Sequence, residues 1–216
     1  MAAKSSVFEN TYDEYIAQIA RVDFRSLEEK LRVRIKGAGV IIPLFGISYE
    51  VSKRGIVDPS RKKPSFDICV ILCKYLLLCP DVYPTENNWV SFRDLKDAGP
   101  LTTYFSHDVE RAIAQKFSGR LNDLKEASKA LAGYPPDIEL SYELAIQFDS
   151  LPRIPILMLY NDADDEFPAT CSVLFERRAE RYLDPECLAM VGALLFTSLK
   201  KWGPISYKHE ISCWSF

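Results

Sequence analysis

The chain has 216 residues, of which 48% are hydrophobic, 12% aromatic and 26% charged, and its formal net charge is −3. This composition is typical of a soluble globular protein and excludes a disordered chain. The slight acidic excess argues against a general nucleic-acid-binding protein, which usually carries a clear basic excess.

Two helices are predicted at the start of the chain. Apolar and aromatic residues recur at three- and four-residue spacing from Phe8 to Ile19, which is typical of an amphipathic helix. A shorter helix is predicted over 26–34, because Ser26 with Glu29 three residues later has the pattern of a capping box.

Short strands and a buried helix are predicted next. Residues 40–59 are rich in β-branched and aromatic residues and are broken by two glycines, which predicts two or three short strands. Pro43 indicates that the first of them lies at a sheet edge or carries a bulge. An apolar run between Ser65 and Pro80 predicts a buried helix.

The second half of the chain alternates between the two kinds of element. Residues 89–95 predict a short strand, and residues 100–132 predict two helices with a break at Gly119. Two strands joined by the turn 150–155 predict an antiparallel hairpin. Asp184, followed by proline and glutamate, predicts the N-cap of a last helix.

Helices therefore flank separated groups of strands, with few strand–helix–strand alternations. This order favours an α+β fold with an antiparallel sheet of short strands flanked by helices. We expect a single domain over residues 1–203, with a helical segment, 1–36, packed on it. The tail 204–216 ends in Trp214 and Phe216, and we expect it to dock on the domain, or else to offer an apolar contact to a partner.

No segment of the sequence predicts a membrane location. Residues 1–15 become polar and acidic where a secretory signal would be apolar. The two most apolar runs, 68–79 and 189–199, are shorter than the ~20 residues that span a bilayer. The sequence therefore predicts a cytoplasmic protein whose six cysteines are thiols, because the cytosol is reducing.

Sequence motifs of common catalytic and metal sites are absent, including phosphate-binding loops, the nucleophile elbow and the zinc motif HExxH. His107 is expected to lie near a helix cap rather than to act in catalysis. Cys69, Cys73 and Cys79 lie among Ile, Val and Leu without a C-x2-C pair, which favours core packing over ligation of zinc or an iron–sulfur cluster.

Five basic residues surround one predicted loop: Lys53, Arg54, Arg61, Lys62 and Lys63. They could form a patch for phosphate or for an acidic partner. A solvated loop is favoured, because no aromatic residues are interleaved for stacking.

Four acidic residues follow the apolar strand "IPILMLY": Asp162, Asp164, Asp165 and Glu166. The last three are candidate ligands of a divalent metal, although the glycine and spacing of an EF-hand loop are missing. The favoured alternative is a solvated turn, in which Phe167 folds back onto the core and Pro168 begins a following helix.

Three segments together resemble an uncharacterised bacterial and archaeal family, the domain of unknown function 3786. They are "VILCKYLLLC", "NWVSFRDLKDAGP" and "LPRIPILMLYNDADDEFPATCSVLFERRAERYL". The resemblance implies that recurrent motifs of the family contain Trp89, Phe92, Arg93, Asp94, Asp165, Glu166 and Phe167. It supplies no catalytic residue.

Some relatives in that family carry an amino-terminal segment whose cysteines hold a four-iron cluster, as in corrinoid iron–sulfur proteins. The first cysteine of this chain is Cys69, so we expect the module to be missing and any redox association to need a partner chain.

The hypothesis that follows is a non-enzymatic module that binds a small cofactor, or a redox, iron–sulfur or corrinoid partner protein. Arg93 would contact an anionic group, Trp89 and Phe92 would form an apolar wall, and Asp165 and Glu166 would lie at the rim. One alternative is a divalent-metal enzyme that uses the acidic loop 162–166. Another is a structural interaction domain that pairs through the tail or an exposed strand.

Overall fold

Eight strands form two antiparallel four-stranded sheets in the computed structural model, which describes the backbone of residues 2–201 and the side chains from Phe8 onward. The first sheet contains, in spatial order, β1 (Arg34–Lys36), β2 (Gly39–Leu44), β3 (Ile47–Ser52) and β4 (Gly55–Val57). The second contains β5 (Trp89–Ser91), β6 (Leu144–Leu151), β7 (Ile154–Asn161) and β8 (Thr170–Glu176), in the spatial order β5-β8-β7-β6. The predicted α+β class with antiparallel strands is confirmed, and the strands are divided between two sheets.

Seven α-helices accompany the sheets in the described part of the chain. They are α1 (Ala2–Ile19), α2 (Phe24–Leu31), α3 (Phe66–Leu77), α4 (Thr102–Phe105), α5 (Ala112–Phe117), α6 (Leu121–Ala130) and α7 (Pro185–Lys201). A π-helical segment, Ser106–Arg111, joins α4 to α5, and short 3-10 segments span Phe92–Asp94, Gly99–Leu101 and Arg177–Arg181. None of these helices is long and apolar enough to cross a membrane. The predicted tail, 204–216, lies outside the described residues.

The β2–β3 hairpin connects the two sheets. Its two turn residues, Phe45 and Gly46, have φ angles of 48° and 76°, which suits the twist of a two-residue hairpin. The N–H of Phe45 donates to the carbonyl of Ser150 in β6 at 2.9 Å. The prediction that this strand lies at a sheet edge or carries a bulge is wrong, because β2 lies between β1 and β3 and pairs with β3 in regular register. Pro43 is tolerated because it lies beyond the end of β1, which pairs only with residues 39–41 of β2.

Of the two N-caps that the sequence predicts, one is confirmed and one is corrected. The predicted N-cap at Asp184 is confirmed, because its carboxylate accepts the N–H of Cys187 at 2.9 Å. The predicted start at Ser26 is wrong, since α2 begins at Phe24 and its N-cap is Asp23. Asp23 has extended backbone dihedrals and accepts the N–H of Arg25, so it meets the N-cap requirement before Ser26 is reached.

Helix α3 lies at the centre of the core and packs against α1 and α7. Its Cys69 and Cys73 are buried, in agreement with the predicted core packing. Burial raises the pKa of the Cys69 thiol to about 11 and that of Cys73 to about 12. Both thiols are therefore neutral at physiological pH.

A buried tyrosine hydroxyl on α3 donates a hydrogen bond to the carbonyl of the last residue of α2. This hydrogen bond gives a first prediction. Tyr75 is 0% exposed, and its hydroxyl donates to the carbonyl of Leu31 at 2.9 Å. Replacing Tyr75 with phenylalanine should lower the free energy of unfolding by about 1 kcal/mol, because a buried carbonyl loses its donor. Urea unfolding measures this, with Tyr104→Phe at a 43% exposed site as the control. Equal midpoints for the two variants would contradict the prediction.

Candidate functional site

The second sheet has a partly free edge. β5 pairs with β8 only from Ser91↔Leu174 to Trp89↔Glu176, so no strand of the described residues lies beside the first half of β8 on that side. The π-helical segment lies along this edge, where Glu110 Oε1 accepts the N–H of Val173 at 3.0 Å. Glu110 thereby satisfies an edge amide that β5 does not reach.

A groove of about 290 Å³ lies between this edge, the 3-10 segment after β5 and the helical stretch that includes α4. It is lined by Ser91, Phe92, Arg93, Thr102, Phe105, Ser106, Glu110, Ser172 and Leu174. We refer to these nine residues as the Arg93 groove. Its volume is at the lower end of the roughly 300–1,000 Å³ that is usual for small-molecule sites, so it suits a small ligand.

The floor of the Arg93 groove is aromatic and rigid. The rings of Phe92 and Phe105 stack with centroids 4.2 Å apart and planes at 6°, and both residues are buried. Phe175 lies 5.9 Å from the Phe105 ring. Below the floor, a Cβ atom at Gly192 of α7 would lie 2.4 Å from Phe105 Cε2. The absence of a side chain at Gly192 therefore lets Phe105 adopt its position.

The groove carries opposite charges on its two walls. The side chain of Arg93 is 74% exposed, and its nearest carboxylate, that of Asp94, is 4.0 Å away. Burial raises the pKa of Glu110, although the N–H of Val173 and the positive charge of Arg93 act in the opposite direction. The groove therefore offers a solvated guanidinium on one wall and a half-buried carboxylate on the other.

Of the four predicted site residues in the segment "WVSFRD", two line the groove and two do not. Phe92 and Arg93 line the groove, but Trp89 and Asp94 do not. Trp89 is half-buried on β5, opposite Glu176. The hydroxyl of Ser91 donates to the Asp94 carboxylate, and this hydrogen bond lowers the pKa of Asp94. Asp94 therefore holds the turn that places Arg93.

The acidic loop forms a tight turn. Asp164 Oδ1 accepts the N–H groups of Glu166 and Phe167 at 2.8 and 2.7 Å, and these bonds lower the pKa of Asp164. Phe167 is 65% exposed, so the prediction that it folds back onto the core is wrong. Pro168 precedes β8 and not a helix, because the loop closes the β7–β8 hairpin. Asp165 is exposed, and no residue of the loop lines the Arg93 groove.

Metal-ligand geometry is not present in the described part of the chain. Among residues 8–201, no group of three or more His, Cys, Asp and Glu side chains is placed to hold a metal ion. Asp164, one of the three candidate ligands, has one carboxylate oxygen committed to two backbone amides. His107 lies within the π-helical segment rather than near a helix cap, and it is 64% exposed beside Asp108.

Most residues of the Arg93 groove were not predicted from the sequence as site residues. Thr102, Phe105, Ser106 and Glu110 lie in a stretch that its periodicity shows only as a helix. Ser172 lies in a strand with no distinctive motif. The contact between Glu110 and Val173 spans 63 residues, so no local pattern reveals it.

One protein-family model matches a region of the chain that includes most of the fold and the whole Arg93 groove. The family model described as a domain of unknown function (DUF3786) matches residues 23–198. No curated protein and no solved structure matches the chain. The matched region runs from the N-cap of α2 into the last turn of α7 and contains every residue of the Arg93 groove. The chain therefore belongs to the DUF3786 family.

Proposed function

We propose that this protein is a binding module for a small polar molecule that carries a carboxylate and an amino group, held in the Arg93 groove. The observation that supports this most is the placement of an exposed guanidinium and a half-buried carboxylate around one aromatic floor. A guanidinium binds a carboxylate through two parallel hydrogen bonds. A ligand amino group would in turn pair with Glu110.

The hydroxyl groups of the groove fit the same ligand class. Ser106 and Ser172 make no side-chain hydrogen bond to any described residue, so their hydroxyls can donate to or accept from a ligand. Thr102 differs, because its hydroxyl donates to the carbonyl of Ala98 at 3.2 Å. Convergent polar groups above an apolar floor are the usual composition of a small-molecule site.

The π-helical segment supports a functional reading of this wall. A π-helical turn is a poorer arrangement than an α-helix, and such turns occur frequently at functional sites. Here it contributes Ser106 and Glu110 to the groove. The segment therefore places two polar side chains over the free edge of β8.

A titration of the ¹⁵N-labelled protein with glycine, L-serine and L-aspartate tests the proposal by amide chemical shifts. At least one of these probes should shift the amides of residues 91–94, 106–110 and 172–174. Arg93→Gln should weaken that binding about tenfold or more, because the carboxylate loses its charged partner. Arg111→Gln is the matched control, since Arg111 is exposed on the same π-helical segment and does not line the groove.

Two further arms complete this experiment. Glu110→Gln keeps an acceptor for the Val173 N–H but removes the charge, so it should weaken binding of the amino acids and not of acetate or L-lactate. Tighter binding of the amino acids to Glu110→Gln would contradict the role of the amino group. Shifts confined to other parts of the molecule, or equal losses for Arg93→Gln and Arg111→Gln, would overturn the site.

The redox, iron–sulfur or corrinoid partner protein that the family resemblance implies stays a separate prediction. It does not require the Arg93 groove to hold a small molecule, and its test is association between purified proteins.

A further inference from the structure

A second groove lies on the first sheet, between α1 and the edge strand β4. Its volume is about 500 Å³, and its polar lining comprises Tyr12, Glu50, Ser52, Arg54, Arg61 and Lys63. We refer to these six residues as the Tyr12 groove. Three of them are among the five basic residues for which the sequence favours a solvated loop over a patch for phosphate or an acidic partner.

The charge of the Tyr12 groove is opposite to that of the protein. Among the described residues, the lining contains three cations, Arg54, Arg61 and Lys63, and one carboxylate, Glu50, which gives a formal charge of +2 (three minus one). The whole chain has a formal charge of −3. Cations gathered in a concave surface focus the local potential and attract anions.

Glu50 forms ion pairs with two cations, and its single negative charge does not cancel both positive charges. Its carboxylate contacts Lys36 Nζ at 2.9 Å, outside the groove lining, and Arg61 Nη1 at 2.7 Å. The hydrogen bonds from Lys36 and Arg61 lower the pKa of Glu50. Arg61 has a φ of 64°, a left-handed conformation that is unfavourable for a residue with a side chain. Its ion pair and its N–H bond to the Asp58 carbonyl hold it there.

Tyr12 contributes a phenolic hydroxyl to the lining of this groove. Its oxygen accepts the N–H of Ile56 at 3.0 Å, so the phenolic proton is left to donate. Gly55 allows the approach, because a Cβ atom there would lie 2.8 Å from the Tyr12 oxygen. Lys63 Nζ lies 3.7 Å from the centroid of the Tyr12 ring and 2.9 Å from Glu9. The ammonium is thus fixed beside the phenol.

Arg54 is a guanidinium without a partner among the described residues. It occupies the two-residue turn between β3 and β4, where Ser52 Oγ accepts its N–H at 3.2 Å and contacts the Gly55 carbonyl at 3.3 Å. The turn is therefore fixed. No hydrogen bond or ion pair of the described side chains involves the guanidinium, so its donors can bind a ligand.

We propose that the Tyr12 groove is a binding site for the phosphate groups of a small phosphorylated molecule. Two guanidiniums, one ammonium and one phenol supply more donors and more positive charge than the two carboxylates that contact them, those of Glu50 and Glu9, can satisfy. Phosphate and pyrophosphate groups present several charged acceptor oxygens and match arginine geometry well. This site is independent of the Arg93 groove, because the two share no lining residue.

Calorimetric titration with pyrophosphate, at low and at physiological salt, tests the site. We expect one pyrophosphate per chain and weaker binding at higher salt. Arg54→Gln should weaken it about tenfold or more. Lys53→Gln is the matched control, since it removes the same charge from the neighbouring turn position but does not line the groove, and it should change binding by less than about threefold.

Amide chemical shifts show where pyrophosphate binds and whether the Arg54→Gln variant is folded. Pyrophosphate should shift the amides of residues 54–57 in the wild-type protein, and unchanged spectra elsewhere would show that Arg54→Gln remains folded. Absence of binding at millimolar pyrophosphate would overturn the site. So would equal losses for Arg54→Gln and Lys53→Gln, or a loss caused by Arg93→Gln and not by Arg54→Gln, which would place the anion in the other groove.

Discussion

Replacing Gly192 with valine should lower the free energy of unfolding by roughly 3 kcal/mol, because the core at this point has no room for a side chain. A Cβ atom would lie 2.4 Å from Phe105 Cε2 and 3.4 Å from Val109 Cγ1. Phe105 and Val109 are both buried. Because the Phe105 ring is stacked on the Phe92 ring, it cannot move without disturbing the floor of the Arg93 groove. The variant should therefore lose stability and ligand binding together.

Chemical unfolding of a graded series checks this prediction. Gly192→Ala adds only the Cβ atom, and its gain of about 1 kcal/mol in helix propensity should partly offset the clash. Thr197→Ala on the same helix is the control, because Thr197 is exposed and makes no comparable core contact. A valine variant as stable as the wild type would show that Phe105 can move with no loss of free energy of unfolding. That result would contradict the conclusion that the floor of the Arg93 groove is rigid.

Replacing Asp162 with alanine should lower the free energy of unfolding by roughly 1–2 kcal/mol, allowing for the partial exposure of the site. Asp162 Oδ1 accepts hydrogen bonds from Gly119 N–H at 2.7 Å, Ala163 N–H at 2.9 Å and the Tyr160 hydroxyl at 3.1 Å. These bonds connect the β7–β8 loop to the break between α5 and α6. Asp165→Ala is the matched control, since Asp165 is exposed in the same loop, and its stability should equal that of the wild type.

The same carboxylate predicts an acid-dependent loss of stability. Burial alone would raise the pKa of Asp162, but the hydrogen bonds from Gly119, Ala163 and Tyr160 outweigh it and lower the pKa below its usual value of 3.8. A lowered pKa in the folded state contributes stability above the unfolded value, and this contribution is lost as the pH falls through the folded value. The difference between wild type and Asp162→Ala should therefore shrink below about pH 4. A difference that stays constant from pH 7 to pH 2 would contradict this assignment.

Two of the wrong predictions, the start of α2 and the helix after Pro168, have a common origin. At α2, two residues three apart could each serve as the N-cap, and the extended backbone at Asp23 decided between them. At the acidic loop, proline after phenylalanine suits the start of a helix or of a strand, and pairing of β8 with β7 decided for the strand. In both places the local pattern was compatible with two structures, and it did not distinguish them.

The predicted binding residues show the same limit. Phe92 and Arg93 were candidates because the family resemblance places them in a recurrent motif that mixes polar and aromatic residues, and they do line a groove. Asp165 and Glu166 were candidates on the same ground, but their loop closes a hairpin and lines neither groove. The family resemblance supplied the candidate residues, and only the path of the chain decided which of them share a surface.

The sequence by itself determined the features that depend on neighbours along the chain. These include the antiparallel α+β class, the hairpin at 150–155, the N-cap at Asp184 and the burial of Cys69 and Cys73. Periodicity, turn residues and caps act over a few residues, so they are visible in one sequence.

Only the tertiary structure decided the division of the strands into two sheets and the composition of both grooves. Glu110 meets Val173 across 63 residues, and Tyr12 meets Ile56 across 44. Such contacts are selected by the packing of whole elements, in which many weak apolar contacts together fix where a few polar groups meet. No spacing rule along the chain records that outcome.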